Sequence, residues 1–266
     1  MQAKLFKLRM ITNLHIGSGE SNFNFIDNQV QRDPITEYPN IHSSGLKGAL
    51  REYFEGIGSE NVKEFFGGEN SSASASQGGL SFIEGKLLAL PVRSNKKSYL
   101  LGTTKEIIKE YIDFAKMFGK EYEIDLSKIN FKGKEKVCII GEKIDGITIE
   151  SFEGDEIIAE ASLKEKLKEI LGTEDIVVME ETSFKEEVAK RLPIIARNCL
   201  ENGISKNLWY EEVVPREAVF YTAVINSQNM ENSLFENFVK IITENLIQMG
   251  ANATIGYGFT KFIEVK

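Results

Sequence analysis

The stretch AKLFKLRMITNL, at residues 3–14, starts the fold. Apolar Phe6 and Leu8 alternate in it with charged residues such as Lys7. A repeat of two residues is typical of a strand with one buried face, because successive side chains of a strand point to opposite sides. We therefore predict the first β-strand here.

A helix is predicted to follow from Ser44, which we place at its N-cap. Five apolar residues recur there at the three-to-four spacing of a buried helical face: Leu46, Ala49, Leu50, Tyr53 and Phe54. The connection over residues 17–39 contains Gly, Ser, Asn and two prolines. A connection of that length inside a compact domain is often functional.

Further helices are predicted over residues 105–118, 163–171 and 235–249, between short strands and with a strand at each end of the chain. This order predicts an α+β fold with a mainly antiparallel sheet. The segment at 67–79 (GGENSSASASQGG) is of low complexity and is predicted to be a flexible loop.

The chain has 266 residues, near the upper limit for one hydrophobic core, so one elaborated domain or two small ones are possible. No apolar run is long enough to span a membrane and no secretory signal is evident, so we expect a cytoplasmic protein. The net charge of −8 disfavours nucleic-acid binding by the surface as a whole. The segment between Glu142 and Glu187, however, contains fifteen acidic residues and only five lysines. The N-terminal part is slightly basic.

Cysteine and histidine are scarce, with two of each. Cys138 and Cys199 lie far apart, so neither a disulfide framework nor a zinc site is expected, and both are predicted to be core residues. His15 and His42 are too few for a multi-histidine metal centre.

The start of the first helix is a candidate anion site. Lys47 and Arg51 lie four residues apart on one helical face, and like charges at that spacing favour a nearby acid or a polyanion. The unpaired amides of the first turn and the hydroxyls of Ser43 and Ser44 suit a phosphate or a carboxylate. The alternative is an ordinary solvated helix face.

Five stretches in this order resemble the RAMP superfamily of CRISPR proteins, and within it the backbone subunit of the type III-B (Cmr) effector complex. The stretches span nearly the whole chain. They are LHIGSG at 14–19, IDNQVQRDP at 26–34 with YPNIHSSGLKGALRE at 38–52, FFGG at 65–68 with LSFIEGKLLALPVRS at 80–94, LWYEEVVP at 208–215 and GANATIGYGF at 250–259.

The resemblance implies one RAMP domain over residues 1–266, with a modified RRM or ferredoxin-like palm, an inserted thumb hairpin and helical insertions. The palm would comprise 1–66, 80–140 and 215–266, and the thumb and insertions would lie within about 141–214. Copies would form a helical filament on a CRISPR guide RNA together with other Cmr subunits. Complementary target RNA would be cleaved at regular intervals, beside nucleotides that the thumb displaces.

The resemblance also implies the site residues. Asp27 matches the catalytic aspartate of the loop after the first strand, where it could bind Mg²⁺ or another divalent cation. His15 matches a position near the same site, although an isolated histidine at a strand end often only packs or hydrogen-bonds. Glu211 and Glu212 match residues near the target strand, and with Asp27 and His15 they make up the predicted catalytic residues.

The RNA-binding residues are assigned partly from the chemistry above and partly from the resemblance. Trp209, the only tryptophan, could instead be a core residue. The set comprises Ser43, Ser44, Lys47, Arg51, Arg32, His42, Trp209, Tyr210, Gly250, Gly256 and Gly258.

Three other functions stay open at this point. The chain could be a guide-RNA-binding scaffold without cleavage activity, or the equivalent backbone subunit of a type III-A complex, which LWYEEVVP and LLALPVRS disfavour. It could also be an acidic enzyme that binds a small phosphate ligand with its glycine-rich tail.

Overall fold

The structure is a computed structural model. It describes residues 2–19, 25–68, 77–129, 131, 136–140, 144–153, 161–227 and 230–266. Most of the loop predicted at 67–79 therefore lies outside the described residues. Among the described residues, no helix has the length and apolarity needed to cross a bilayer.

Strands and helices are interspersed along the chain. The strands are β1 (Gln2–Met10), β2 (Leu80–Phe82), β3 (Lys86–Val92), β4 (Leu100–Thr104), β5 (Val137–Ile140), β6 (Thr148–Ile149), β7 (Phe152–Glu153), β8 (Ile176–Met179), β9 (Ile194–Glu201), β10 (Ile204–Glu212), β11 (Val219–Asn226), β12 (Leu246–Gln248) and β13 (Phe259–Glu264). The α-helices are α1 (Ser43–Gly56), α2 (Val62–Phe66), α3 (Lys105–Met117), α4 (Ala161–Leu171), α5 (Glu181–Phe184) and α6 (Asn232–Glu244).

A ferredoxin-like core organises the large sheet. Its central order is β13-β1-β11-β3, and each neighbouring pair is antiparallel. With α1 between β1 and β3 and α6 between β11 and β13, this is the β-α-β-β-α-β arrangement of the motif. The α+β fold with a ferredoxin-like palm is confirmed.

Both faces of this sheet are covered. On one face the rings of Phe54 in α1 and Phe238 in α6 stack with centroids 5.1 Å apart. On the other face Tyr221 of β11 packs edge-on against Tyr111 of α3 at 5.2 Å. Lys7 lies opposite Tyr221 in the register, and its Nζ donates to the last carbonyls of α4 at 3.0 Å. Helices thus cover both faces of the central strands, while Lys261 and Ile263 of β13 stay exposed at one end of the sheet.

An insertion widens the sheet beyond β3. There β4 pairs antiparallel with β3, β8 pairs parallel with β4, and β5 pairs antiparallel with β8. Strands β4 and β8 were not predicted from the sequence, because short, fully buried strands lack the alternation of half-buried ones. The helix predicted over 235–249 ends at Glu244, because Asn245 is extended and Leu246–Gln248 pairs with β13 instead.

Strands β9 and β10 form a separate two-stranded hairpin, in the segment where a thumb was predicted. Asn202 and Gly203 both have positive φ at its turn, as a type I′ turn requires. Leu200 and Ile204 near the turn are more than half exposed, so the tip projects from the core. Cys199 lies exposed on this hairpin, and its predicted core position is wrong; Cys138 is buried, as predicted.

Candidate nucleic-acid interface

The loop after β1 meets the hairpin where the hairpin joins the core. Residues 26–30 run beside the end of β10: the Asn28 amide donates to the Tyr210 carbonyl at 3.1 Å, and the Glu212 amide donates to the Asn28 carbonyl at 2.9 Å. The Asp27 carboxylate accepts from the Tyr210 amide at 2.8 Å. Because Asp27 is exposed, this arrangement presents a positioned carboxylate to solvent.

Glu212 points inward from the same strand and is 4% exposed. One carboxylate oxygen accepts from Arg32 at 2.6 Å and the other from the Val30 amide at 3.1 Å. His15 Nδ1 lies 2.7 Å from the Glu212 carbonyl oxygen, and because a carbonyl only accepts, Nδ1 carries the proton. Arg32 also donates to two backbone carbonyls. These bonds fasten the loop to the hairpin.

Glu211 is similarly enclosed, with 5% of its surface exposed. It accepts from Trp209 Nε1 at 2.8 Å, from Arg197 at 2.9 Å and from the Asn252 amide group at 3.0 Å. Burial alone would raise the pKa of Glu211, but the hydrogen bonds from Trp209 and Arg197 and the arginine charge lower it overall. The Arg197 guanidinium lies 5.4 Å from the Trp209 ring centroid.

Two of the three predicted glycines of the tail are explained by chain packing. A Cβ at Gly250 would lie 2.4 Å from the His15 carbonyl oxygen, and one at Gly258 would lie 1.8 Å from the Met249 carbonyl oxygen. Gly256, by contrast, has open space at its Cβ position. Only Gly256 therefore leaves room for a ligand to approach.

The start of α1 forms a second cluster. The helix begins at Ser43 with His42 as its N-cap, so the predicted N-cap at Ser44 is wrong; the His42 side chain makes no capping bond. The amides of the first turn thus lack a capping side chain. Ser43, Ser44 and Lys47 line a cavity of about 320 Å³. Within the described part of the chain Lys47 makes no ion pair, which leaves its charge available.

Arg51 and His42 were also predicted to bind RNA near this helix, and both have hydrogen-bond partners within the chain. Arg51 donates to Glu55 at 2.7 Å and to the Gly67 carbonyl at 3.3 Å, so an acid already balances its charge. The exposed His42 donates its amide to the Gln31 side chain at 3.2 Å. Through Gln31, the loop that carries Asp27 contacts the start of α1.

Three further residues of the site were missed by sequence reasoning. Arg197 and Asn252 bind Glu211, and the 79%-exposed Phe25 stacks on Tyr210 with ring centroids 5.1 Å apart. Pairing outward from the Asn-Gly turn would have placed Arg197 opposite Trp209, with one irregularity in the register. Nothing in the sequence pattern places Asn252 next to Glu211.

A cation site made by the protein alone is absent from the described residues, where no group of three Asp, Glu, His or Cys side chains is arranged to hold a metal ion. Asp27 is the predicted ligand and offers a single carboxylate. Since Mg²⁺ prefers near-octahedral oxygen coordination, the residues present fit an ion that takes most of its ligands from water and phosphate oxygens.

The family follows from a match over most of the chain. Residues 7–261 match the model of the RAMP superfamily. The chain belongs to the RAMP superfamily. A relative of this RAMP protein is the CRISPR system Cmr endoribonuclease Cmr4 of Pyrococcus furiosus, 27% identical over 98% of this chain and 95% of the relative.

Solved structures agree on the fold of this RAMP protein. A chain of a type III-B Cmr-beta complex bound to cognate target RNA superimposes with a TM-score of 0.78 at 22% identity, covering 100% of this chain and 98% of that one. Oligomeric Cmr4 from Pyrococcus furiosus superimposes with a TM-score of 0.77 at 22% identity and covers 100% of both chains.

Proposed function

We propose that this protein is the guide-RNA-binding backbone subunit of a type III-B (Cmr) CRISPR effector complex and acts as an endoribonuclease on complementary target RNA. Copies of the chain would form a helical filament with other Cmr subunits in the cytoplasm. The RAMP family supports this proposal, as does the Pyrococcus furiosus relative, which is named as an endoribonuclease. The likeness to the chain of an RNA-bound Cmr complex supports it further.

The guide backbone would lie at the start of α1. The first-turn amides, Ser43, Ser44 and Lys47 offer donors and a positive charge to phosphates. Phosphate contacts position RNA without reading its sequence, and sequence would be read by pairing with the guide. The net negative charge of the chain is compatible with this role, because fifteen of its acidic residues lie between Glu142 and Glu187, away from α1 in the sequence.

The single observation that carries the cleavage proposal is the exposed carboxylate of Asp27, held by the Tyr210 amide beside the hairpin. In the reaction, the 2′-oxygen of a target nucleotide attacks the adjacent phosphorus, and the bond to the 5′-oxygen of the next nucleotide breaks. The 2′-hydroxyl gives up its proton and the leaving oxygen gains one, which leaves a 2′,3′-cyclic phosphate and a 5′-hydroxyl. In this proposal Asp27 would accept the first proton.

Glu211, Glu212 and His15 were also predicted to be catalytic, and each already hydrogen-bonds other parts of the chain. Every carboxylate oxygen of Glu211 and Glu212 already accepts a hydrogen bond, so we assign both residues to positioning Trp209, Tyr210 and the Asp27 loop. His15 is 5% exposed and holds the Glu212 carbonyl. A direct role for His15 in proton transfer stays a prediction.

A divalent cation is part of the proposal as a shared ligand of Asp27 and the RNA. When bound, Mg²⁺ would neutralise charge on the scissile phosphate. Asp27 would hold it by one carboxylate, and the remaining ligands would come from phosphate and water. Titrating Mg²⁺ or Mn²⁺ against the guide-target assembly, with paramagnetic broadening by Mn²⁺ as a readout independent of cleavage, would test this.

The decisive test is Asp27→Asn in a complex reconstituted with guide RNA and labelled target. Asparagine keeps an oxygen that accepts from the Tyr210 amide, so the loop should remain in place. We expect assembly to be unchanged and evenly spaced cleavage to fall by about 100-fold or more, as for loss of a general base. The control Asp113→Asn, at an exposed position of α3 with no partner among the described residues, should cleave at the wild-type rate.

Other results would favour the alternative functions. Spaced cleavage that survives Asp27→Asn would mean that Asp27 is not the base. An assembly that binds guide and target but never cleaves would favour a non-catalytic scaffold. No binding of guide RNA at all would contradict both, and would leave the small-phosphate enzyme.

A further inference from the structure

One aromatic side chain near the base of the hairpin lies on the protein surface. Phe25 is 79% exposed, and among the described residues no other phenylalanine, tyrosine or tryptophan is as much as half exposed. Phe54 and Phe238, by contrast, stack on each other inside the fold. A single exposed apolar side chain is common on protein surfaces, so the exposure of Phe25 gains meaning only from its contacts.

Tyr210 supports the Phe25 ring from one side. The two ring centroids are 5.1 Å apart and the ring planes differ by 23°, which is a stacked arrangement. Tyr210 is part of β10 and lies opposite Ala196 of β9, so the hairpin fixes its backbone. With 79% of Phe25 exposed, the ring face turned away from Tyr210 is open. The pair therefore forms a platform for a third flat ring.

The platform lies beside the proposed reaction site. The Tyr210 ring contacts Phe25, and the amide of the same residue donates to the Asp27 carboxylate at 2.8 Å. Phe25 and Asp27 are two residues apart, so their Cα atoms are separated by at most about 7 Å. In a ribonucleotide the base and the 2′-hydroxyl are attached to neighbouring ribose carbons. One nucleotide can therefore place its base on Phe25 and its 2′-hydroxyl at Asp27.

The surroundings of the ring favour a base over a protein partner. Leu208 adds exposed apolar surface on the Tyr210 face of β10, but Asp27 and Asn28 on the loop are exposed and polar. A protein that covers Phe25 would also cover the Asp27 carboxylate, and the cores of protein interfaces are depleted of charged residues. A nucleotide covers the ring with its base and brings a polar sugar to the carboxylate. Because a base inside a duplex has neighbours on both faces, the ligand is a base that has left the stack.

We propose that Phe25, supported by Tyr210, is the platform on which the base of the attacked target nucleotide stacks, namely the nucleotide whose 2′-hydroxyl faces Asp27. This inference rests on the proposed function and names a contact of its substrate. Phe25 is then a positioning residue: stacking of the base fixes the ribose, which keeps the 2′-oxygen beside the carboxylate. Because every base has a ring face, such a platform accepts any base and leaves the choice of sequence to the guide.

The first test removes the side-chain ring and the base, separately and together. A labelled target carries an abasic ribose, which keeps its 2′-hydroxyl, at one cleavage position in the reconstituted complex. Phe25→Leu keeps an apolar side chain and removes the ring. Either change alone should slow cleavage at that position about tenfold at saturating complex, and both together should slow it no further. Losses that multiply, or a wild-type rate in Phe25→Leu, would overturn the proposal.

Two matched variants show whether the ring itself is required. Phe25→Trp keeps an aromatic face and should keep most of the wild-type cleavage rate. Met117→Ala removes an apolar side chain of similar exposure, 77%, from the end of α3 and should cleave like wild type. A loss in Phe25→Trp as large as that in Phe25→Leu would contradict stacking. An equal loss in Met117→Ala would contradict a specific role of Phe25.

Photo-crosslinking provides a readout that does not depend on cleavage. A target with 5-iodo-2′-deoxyuridine at the same position lacks the attacking hydroxyl, so it stays intact there whether or not Asp27 is the base. Irradiation should attach this nucleotide to Phe25, and Phe25→Leu should abolish the attachment. Attachment only to other residues would overturn the proposal. If Phe25→Leu instead prevents copies of the chain from assembling on the guide, Phe25 belongs to a contact between proteins, which also overturns it.

Failure of this inference is distinguishable from failure of the proposed function. Evenly spaced cleavage that requires Asp27 and is unaffected by Phe25→Leu would contradict the stacking platform alone. A wild-type assembly that binds guide and target without cleaving would contradict the proposed endoribonuclease.

Discussion

Two groups of polar residues, one at the base of the hairpin and one that extends from Asp27 to the start of α1, differ in one property. The inner cluster, which comprises Glu211, Glu212, Arg197, Arg32 and His15, is largely buried, and each member hydrogen-bonds another part of the chain. The outer surface, which comprises Asp27, Ser43, Ser44 and Lys47, faces solvent or a cavity. The buried group thus holds the backbone in place, whereas the other group is available to bind a ligand.

The largest effect should come from breaking the inner cluster. Glu212→Ala leaves the Arg32 guanidinium and the Val30 amide without their acceptor in the interior. Removing one partner of a buried ion pair costs about 3–5 kcal/mol of unfolding free energy. Because the Arg32 side chain is 24% exposed and keeps two backbone acceptors, we expect the lower end of this range. Urea denaturation would measure this loss, and Glu55→Ala, which breaks the surface pair with Arg51, should cost less than about 1 kcal/mol. Similar losses in both variants would contradict the distinction.

The glycine-rich tail provides the next comparison. Both Gly258 and Gly256 have positive φ, but only at Gly258 would a Cβ collide with a backbone oxygen, at 1.8 Å from Met249. Gly256→Ala should cost about 1–2 kcal/mol from backbone conformation alone. Gly258→Ala adds the collision and should cost clearly more in the same denaturation assay. An equal cost would mean that the chain relaxes around the added methyl group.

The outer surface should affect RNA binding and leave stability unchanged. Lys47→Ala should weaken guide-RNA binding about tenfold and reduce the slope of log affinity against log salt by about one. Arg51→Ala should have a smaller effect, because Glu55 already balances that charge. Binding measured at several salt concentrations compares the two variants. A larger loss for Arg51→Ala would reverse the assignment of the phosphate contact.

The smallest expected effect is on how protein stability depends on pH. The pKa of Glu211 is lower in the folded protein than its ordinary value, so its ionised form adds stability above the unfolded-state pKa of about 4.3, and this contribution disappears as pH falls through the folded pKa. Glu211→Gln should therefore be less stable than wild type at neutral pH, and the difference should shrink in acid. Denaturation at several pH values between neutral and acidic would measure it. A difference independent of pH would contradict the assigned charge interaction.

Most of the fold was predictable because its elements are locally encoded. Alternation along β1 and the apolar face of α1 arise from side-chain geometry within each element, and both occur within a few residues of their predicted limits. The predictions failed where a distant strand decides the outcome. The end of the helix predicted over 235–249 became β12 because β13 offers it a pairing edge, and nothing local to that segment shows this.

The same distinction between local sequence and distant contacts applies to the site. From the sequence alone came the RAMP resemblance, the loop with Asp27, and the serines and Lys47 at a helix start, because motifs are properties of short segments. Which carboxylates are available was decided only by the tertiary structure. Asp27 accepts from the hairpin backbone at Tyr210 and Glu212 accepts from the loop backbone at Val30, yet Asp27 faces solvent and Glu212 is enclosed, because burial depends on contacts between residues about 180 positions apart.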